Sequence, residues 1–160
     1  MNGSRGFWIV AVTLWLSAAL QQSLARRFSF WGFEPDFLLV AMSCLSMFCN
    51  RAGAASIGFL SGAIYGAISF ANMSQYVISR TVAAFLAGWA NDLNLQGSGM
   101  VAAVTTAATT VGARLILLFL APPLLITPFL GATIRSAVYN GVLAVPLYLL
   151  LKKVMGTSQR

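Results

Sequence analysis

The sequence predicts an all-helical membrane protein, a bundle of six transmembrane helices. Three observations carry that reading. Of the 160 residues, 59 % are hydrophobic and only 8 % charged, with a mean hydropathy of +0.82. A soluble domain of this size must coat itself with solvated side chains, and here there are too few. The apolar residues also form continuous runs of about 20, the length that crosses a hydrocarbon core of about 30 Å. Backbone groups in lipid must pair internally, so a span is a helix or part of a closed barrel. These runs lack the alternation of barrel strands, which leaves helices. One compact domain, 1–160, accommodates them all.

Taken in order, the first span is placed at 6–24. Arg5, the apolar stretch 7–20 and Ser23-Leu24-Ala25 have the outline of a secretory signal, but the segment is read as a membrane span. Arg26, Arg27 and an aromatic loop, Phe28-Ser29-Phe30-Trp31-Gly32-Phe33, follow. The second span, 31–49, starts its helix at Glu34-Pro35-Asp36, because proline suits a first turn and acids favour the positive end of the helix dipole. A break at Asn50 precedes the third span, 53–71, and a break at Asn72 precedes the fourth, 76–90. Asn91-Asp92-Leu93-Asn94-Leu95-Gln96-Gly97 is the clearest polar loop. Gly97-Ser98-Gly99 reads as the N-cap of the fifth span, 99–120. Pro122 and Pro123 stop that span. The sixth runs over 128–151 into a polar tail. No internal repeat is visible.

Lysine and arginine number 10 against three acids, a net charge of +7. In a soluble chain this would indicate nucleic acid. Here the basic residues are scattered, most of them at span ends, where they set topology, and no nucleic-acid partner is expected. A cytoplasmic N-terminus leaves Arg5, Arg51, Lys152, Lys153 and Arg160 inside, with Arg26 and Arg27 outside and Arg80 near the outer edge. An even span count then puts both termini in the cytoplasm. Trp8, Trp31, Tyr76, Trp89 and Tyr148 fall near span ends, as interface anchors do.

Chemistry is sparse. There is no histidine, so no Ser-His or Cys-His pair exists, and Glu34 with Asp36 is a weak acid/base signal. Cys44 and Cys49 point to different faces of one predicted helix, cannot bridge each other, and read as buried small apolar residues. No metal-ligand spacing or phosphate loop occurs, so no catalytic residue, metal or cofactor is expected.

Two features remain. Ala54, Gly58, Gly62 and Gly66 recur every four residues along the third span and leave one helix face nearly bare. Such a groove admits either a neighbouring helix of the bundle or a partner's transmembrane helix. Ala103, Ala107, Ala108 and Gly112 make the fifth span similar. The second feature is embedded charge. Arg80, Arg114 and Arg135 fall within spans, and the topology brings them into one outer layer with Asp36. Arg114 and Arg135 lie roughly 10 Å below the outer surface at 1.5 Å per residue. An isolated arginine in lipid costs about 3 kcal/mol on insertion scales, so these should face inward. They form either an Asp36 bridge to one arginine with the others snorkelling, or an outward polar pocket for an anionic group or a partner carboxylate.

The chain resembles the MreD family, small polytopic subunits of the bacterial rod-shape machinery. The resemblance covers nearly the whole chain in size, span count, short loops and basic tail. Its local match is Pro35-Asp36-Phe37-Leu38-Leu39-Val40, then Gly58-Phe59-Leu60-Ser61-Gly62. Many members carry an aspartate shortly after the second glycine; Ala63-Ile64-Tyr65-Gly66-Ala67 has none. The resemblance implies a non-enzymatic subunit of the bacterial cytoplasmic (inner) membrane. It would dock a single-span MreC-type protein and help organise a RodA-type glycosyltransferase, a penicillin-binding transpeptidase and MreB. The family fold is similar to the S-components of energy-coupling-factor vitamin transporters, so the implied architecture is S-component-like. An S-component holding a vitamin is the alternative function.

Overall fold

Polar residues at the breaks become helix caps, and the apolar runs between them become helices. The computed structural model describes residues 3–25, 27, 34–70, 72–93 and 98–156. The helices are α1 (Gly3–Ser23), α2 (Phe37–Ser46), α3 (Arg51–Ser69), α4 (Met73–Ala87), the single turn α5 (Trp89–Asp92), α6 (Gly99–Leu120) and α7 (Ile126–Gly156). No strand occurs among the described residues. The Asn50 side chain accepts from Gly53 N at 2.9 Å to start α3. Ser98 accepts from Val101 N at 3.3 Å to start α6, the cap expected there. Helix α6 ends at Leu120, just before the proline pair. Arg26, the aromatic stretch 28–33 with Trp31, residues 94–97 and Arg160 lie outside the described residues.

The six longer helices run alternately between two ends of the bundle. At one end, Gln21, Glu34, Tyr65 and Ser69 share a surface, and Gln75 donates to the Leu120 carbonyl at 3.2 Å. At the other end, Arg51 pairs with Asp92 and lies 5.5 Å from the Trp89 ring centroid. Phe48 there stacks on Tyr148 at 5.3 Å. Helices α3, α6 and α7 are long and apolar enough to cross a membrane. Large apolar side chains are exposed around the outside, among them Trp15, Phe59, Val104, Ile134, Val138 and Val142. That surface suits a bilayer rather than water.

Several expectations need correction. The helix expected to run from Glu34-Pro35-Asp36 to Cys49 is shorter. Helix α2 has ten residues, about 15 Å long at 1.5 Å each, and every residue from 38 to 46 is buried. Helices α1, α3, α4, α6 and α7 all pack against it. It is the axis of the bundle, and its continuous hydrophobicity reflects burial in protein on all sides. Pro35 does not occupy the first helical turn: Asp36 is the N-cap and Pro35 precedes it. Cys49 lies beyond the end of α2 and is half-buried, whereas Cys44 is buried as expected. Tyr148 is no interface anchor, being wholly buried, while Trp8 and Trp89 are exposed. Helix α7 extends past both predicted limits and carries Pro146 in its interior, where the missing N–H leaves the carbonyl one turn earlier without its usual donor.

The bare face of α3 is filled by α4. A Cβ on Gly58 would lie 2.5 Å from the Arg80 carbonyl oxygen and 2.6 Å from Ala84 Cβ. One on Gly62 would lie 2.6 Å from Val77 Cα, and one on Gly66 2.7 Å from Met73 Cα. Ala54, fully buried, meets Gly88 at the same seam. Of the two occupants left open by the sequence, the neighbouring helix is the one present. The small residues of α6 divide: Ala103 and Ala107 pack against Gly141 of α7, whereas Ala108 and Gly112 face α4. An open cleft of about 330 Å³ lies between α4 and α6, lined by Ala83, Ala87, Ala108 and Gly112 among others.

Candidate functional site: a polar cluster at the start of the axial helix

A helix that begins inside a bundle must satisfy its first N–H groups without water. Helix α2 does so with its own cap residue and with side chains from α1 and α7. Asp36 Oδ1 accepts from Leu39 N at 2.9 Å. From α1, Gln21 Oε1 accepts from Phe37 N at 2.8 Å, and its Nε2 donates to the Pro35 carbonyl at 3.2 Å. From α7, Asn140 Oδ1 accepts from Asp36 N at 3.2 Å. The Asn140 amide nitrogen then donates to Thr110 Oγ1 of α6 at 3.3 Å.

The second oxygen of Asp36 receives the Arg80 guanidinium in a salt bridge. The Arg80 side chain is 2 % exposed and that of Asp36 is 18 % exposed. Arg80 also donates to Ser61 Oγ at 2.9 Å, and Ser61 donates to the Leu38 carbonyl at 3.3 Å. The Arg80 guanidinium carbon lies 4.1 Å from the centroid of the Tyr65 ring. A cation this deep requires such compensation, since removing its partner would leave a buried charge. The local cause is glycine: with no Cβ at Gly58, the α4 backbone closes onto α3 at Arg80 itself. The arginine then emerges beside Ser61.

Next to this pair is a cavity of about 140 Å³, lined by Asp36, Tyr65, Tyr76, Ser79, Arg80, Arg114 and Phe129 with Leu39, Ala113 and Leu117. Tyr65 and Tyr76 pack with centroids 4.9 Å apart. Of the sequence-predicted outer polar residues, Asp36, Arg80 and Arg114 therefore come together. Arg135 does not: it is exposed on α7 and is not among the residues lining the cavity. Phe59, in the predicted family motif, is exposed as well. Sequence reasoning missed Gln21, Ser61, Tyr65, Thr110 and Asn140. A glutamine or asparagine within an otherwise apolar run is the signal that could have found two of them, Gln21 and Asn140.

Chemically the cluster binds and holds. Both Asp36 oxygens are engaged, one by Leu39 N and the other by Arg80. Among the described residues no three His, Cys, Asp or Glu side chains converge as metal ligands would. Compared with protein-family models, with curated proteins and with solved structures, the chain matches none of them.

Proposed function

We propose that this chain is a non-enzymatic, MreD-like subunit of the bacterial cell-elongation machinery. It sits in the cytoplasmic membrane as six passes with both termini inside. Its work is to dock an MreC-type single-span protein and so help organise the peptidoglycan synthases and MreB. One observation carries the reading. Pro35-Asp36 and Gly58-Phe59-Leu60-Ser61-Gly62, the two stretches on which the resemblance rests, meet at a single residue, Arg80. Asp36 holds its guanidinium, Ser61 its other terminal nitrogen, and Gly58 accommodates its backbone. Short motifs that match by chance have no reason to converge in this way.

At the Arg80 site the transporter reading is weaker on size. Pockets that enclose a drug-sized ligand measure roughly 300–1,000 Å³, and the cavity beside Arg80 measures about 140 Å³. Its polar and aromatic lining matches a binding site, but a vitamin does not fit within it. The partner must also use a face other than the α3 stripe, which α4 occupies.

Co-purification tests the proposal. The tagged chain is expressed in a bacterial membrane, extracted in mild detergent, and its companions are identified by mass spectrometry. A single-span MreC-type protein with cell-wall synthases is the expected result. An energy-coupling module with its ATPases would refute the scaffold reading in favour of the transporter subunit.

A further inference from the structure

The polar cluster is unbalanced in charge. The cavity carries two guanidinium groups, Arg80 and Arg114, and one carboxylate, Asp36. Asp36 is committed, one oxygen to Leu39 N and the other to Arg80. The chain has only two other acids. Asp92 pairs with Arg51 at the opposite end of the bundle, and Glu34, which forms no ion pair with Arg114, lines the adjoining outer surface that shares Tyr65 with the cavity. Among the described residues, Arg114 thus has no carboxylate partner, although it is only partly exposed and its walls are largely aromatic and aliphatic. The phenols of Tyr65 and Tyr76 line the same space and add hydroxyl donors. The cavity is rich in donors, poor in acceptors and carries an excess positive charge.

We infer that this cavity is an anion site that takes a phosphate group, with Arg114 as its main ligand. A guanidinium offers five N–H donors in a fork that matches phosphate oxygens. A volume of about 140 Å³ is the space of four or five waters at about 30 Å³ each, enough for one tetrahedral oxyanion. Position favours phosphate over carboxylate. Arg114 lies about 9 Å below the end of α6 at 1.5 Å per residue, and a long basic side chain at that depth reaches toward the headgroup level. The anion that a bilayer itself supplies there is the lipid phosphodiester, and inorganic phosphate has the same chemistry. The inference rests on membrane placement and not on the identity of any protein partner, so co-purification can fail while it stands.

The test uses the full chain in nanodiscs of phosphatidylcholine, whose phosphodiester charge is offset by its own quaternary ammonium, with or without an equal part of phosphatidylglycerol, whose phosphodiester charge is not offset. Native mass spectrometry counts the lipid retained. A second arm titrates inorganic phosphate, with acetate in parallel, into the phosphatidylcholine nanodiscs and follows thermal unfolding. Wild type is compared with Arg114→Gln and with Lys153→Gln, an equal charge loss at the other end. Selective retention of phosphatidylglycerol, weakened about tenfold or more in Arg114→Gln and unchanged in Lys153→Gln, supports a lipid source. Arg114-dependent stabilisation by inorganic phosphate alone supports a soluble source. Equal behaviour of wild type and Arg114→Gln in both arms overturns the site. A response to acetate as strong as that to phosphate overturns the phosphate assignment. If Arg114→Gln does not fold, Arg114→Lys, which keeps the charge but not the fork, replaces it in the same comparison.

Discussion

Replacing Asp36 separates two jobs that one carboxylate performs, and their sizes can be worked from the structure. One oxygen caps α2 through Leu39 N, and the other neutralises Arg80. Breaking a buried ion pair by removing one partner costs about 3–5 kcal/mol, mostly the penalty of the charge left behind. Arg80 is 2 % exposed, whereas Asp36 at 18 % retains some solvent, and Arg80 lines a cavity with room for water, which places the effect near the lower figure. Asp36→Asn preserves a good N-cap and loses only the charge, so it should destabilise by about 3 kcal/mol. Asp36→Ala loses the cap too, adding about 1 kcal/mol. Arg80→Met alone should cost less than Asp36→Asn, because the carboxylate left behind is the more hydrated partner. In the double variant Asp36→Asn/Arg80→Met the losses should fall short of their sum by about 2 kcal/mol. Reversible unfolding in detergent, read by tryptophan fluorescence, measures all four. Arg51→Gln is the internal control. Its pair with Asp92 has side chains 48 % and 34 % exposed, and exposed pairs contribute less than about 1 kcal/mol. Asp36→Asn within about 0.5 kcal/mol of wild type, or strict additivity in the double variant, would refute the buried-pair argument.

Two further outcomes follow from packing. Gly62→Leu places side-chain atoms where Val77 Cα would be 2.6 Å from the new Cβ; backbone cannot swing aside, so α3 and α4 must separate and stability should fall by about 3 kcal/mol or more. Gly131→Ala, with nothing within 4 Å of the added carbon, should instead match wild type or gain up to about 1 kcal/mol from helix propensity, and the two melting curves side by side check both. Maleimide should label half-buried Cys49 well before buried Cys44; peptide mapping of a time course reads the order, and prior reaction at Cys44 would mean that α2 is not enclosed.

Helix content and most breaks were legible because they depend on neighbours in sequence. Asn50, Ser98 and the proline pair mark their own helix ends through local hydrogen bonds or their absence. The four-residue spacing of Ala54, Gly58, Gly62 and Gly66 likewise announced a close helix contact, though not which helix would make it. Helix α2 was misjudged in length because an apolar run reads the same whether lipid or protein surrounds it. The partner of Asp36 was narrowed to three arginines and not resolved, since the choice depends on how α4 rotates against Gly58. Gln21 and Asn140 stand out only as amides within apolar runs, and what they hold was not legible. Asn140 is 104 residues from the backbone it holds, and no local pattern encodes a contact at that separation.

The burial of α2 also imposes an order on biogenesis. A nascent chain that inserts this segment carries Asp36 toward the membrane before its ion-pair partner has been made. Arg80 is 44 residues further on, or roughly 2–9 s at 5–20 residues per second. Asn140, 104 residues on, arrives after about 5–21 s at the same rates. During that interval a ten-residue helix, too short to cross lipid unaided, depends on the insertion machinery to shield its acidic end. The last helix then closes the ring, so a ribosome stalled before Asn140 would leave the axis of the protein uncovered and its start half capped.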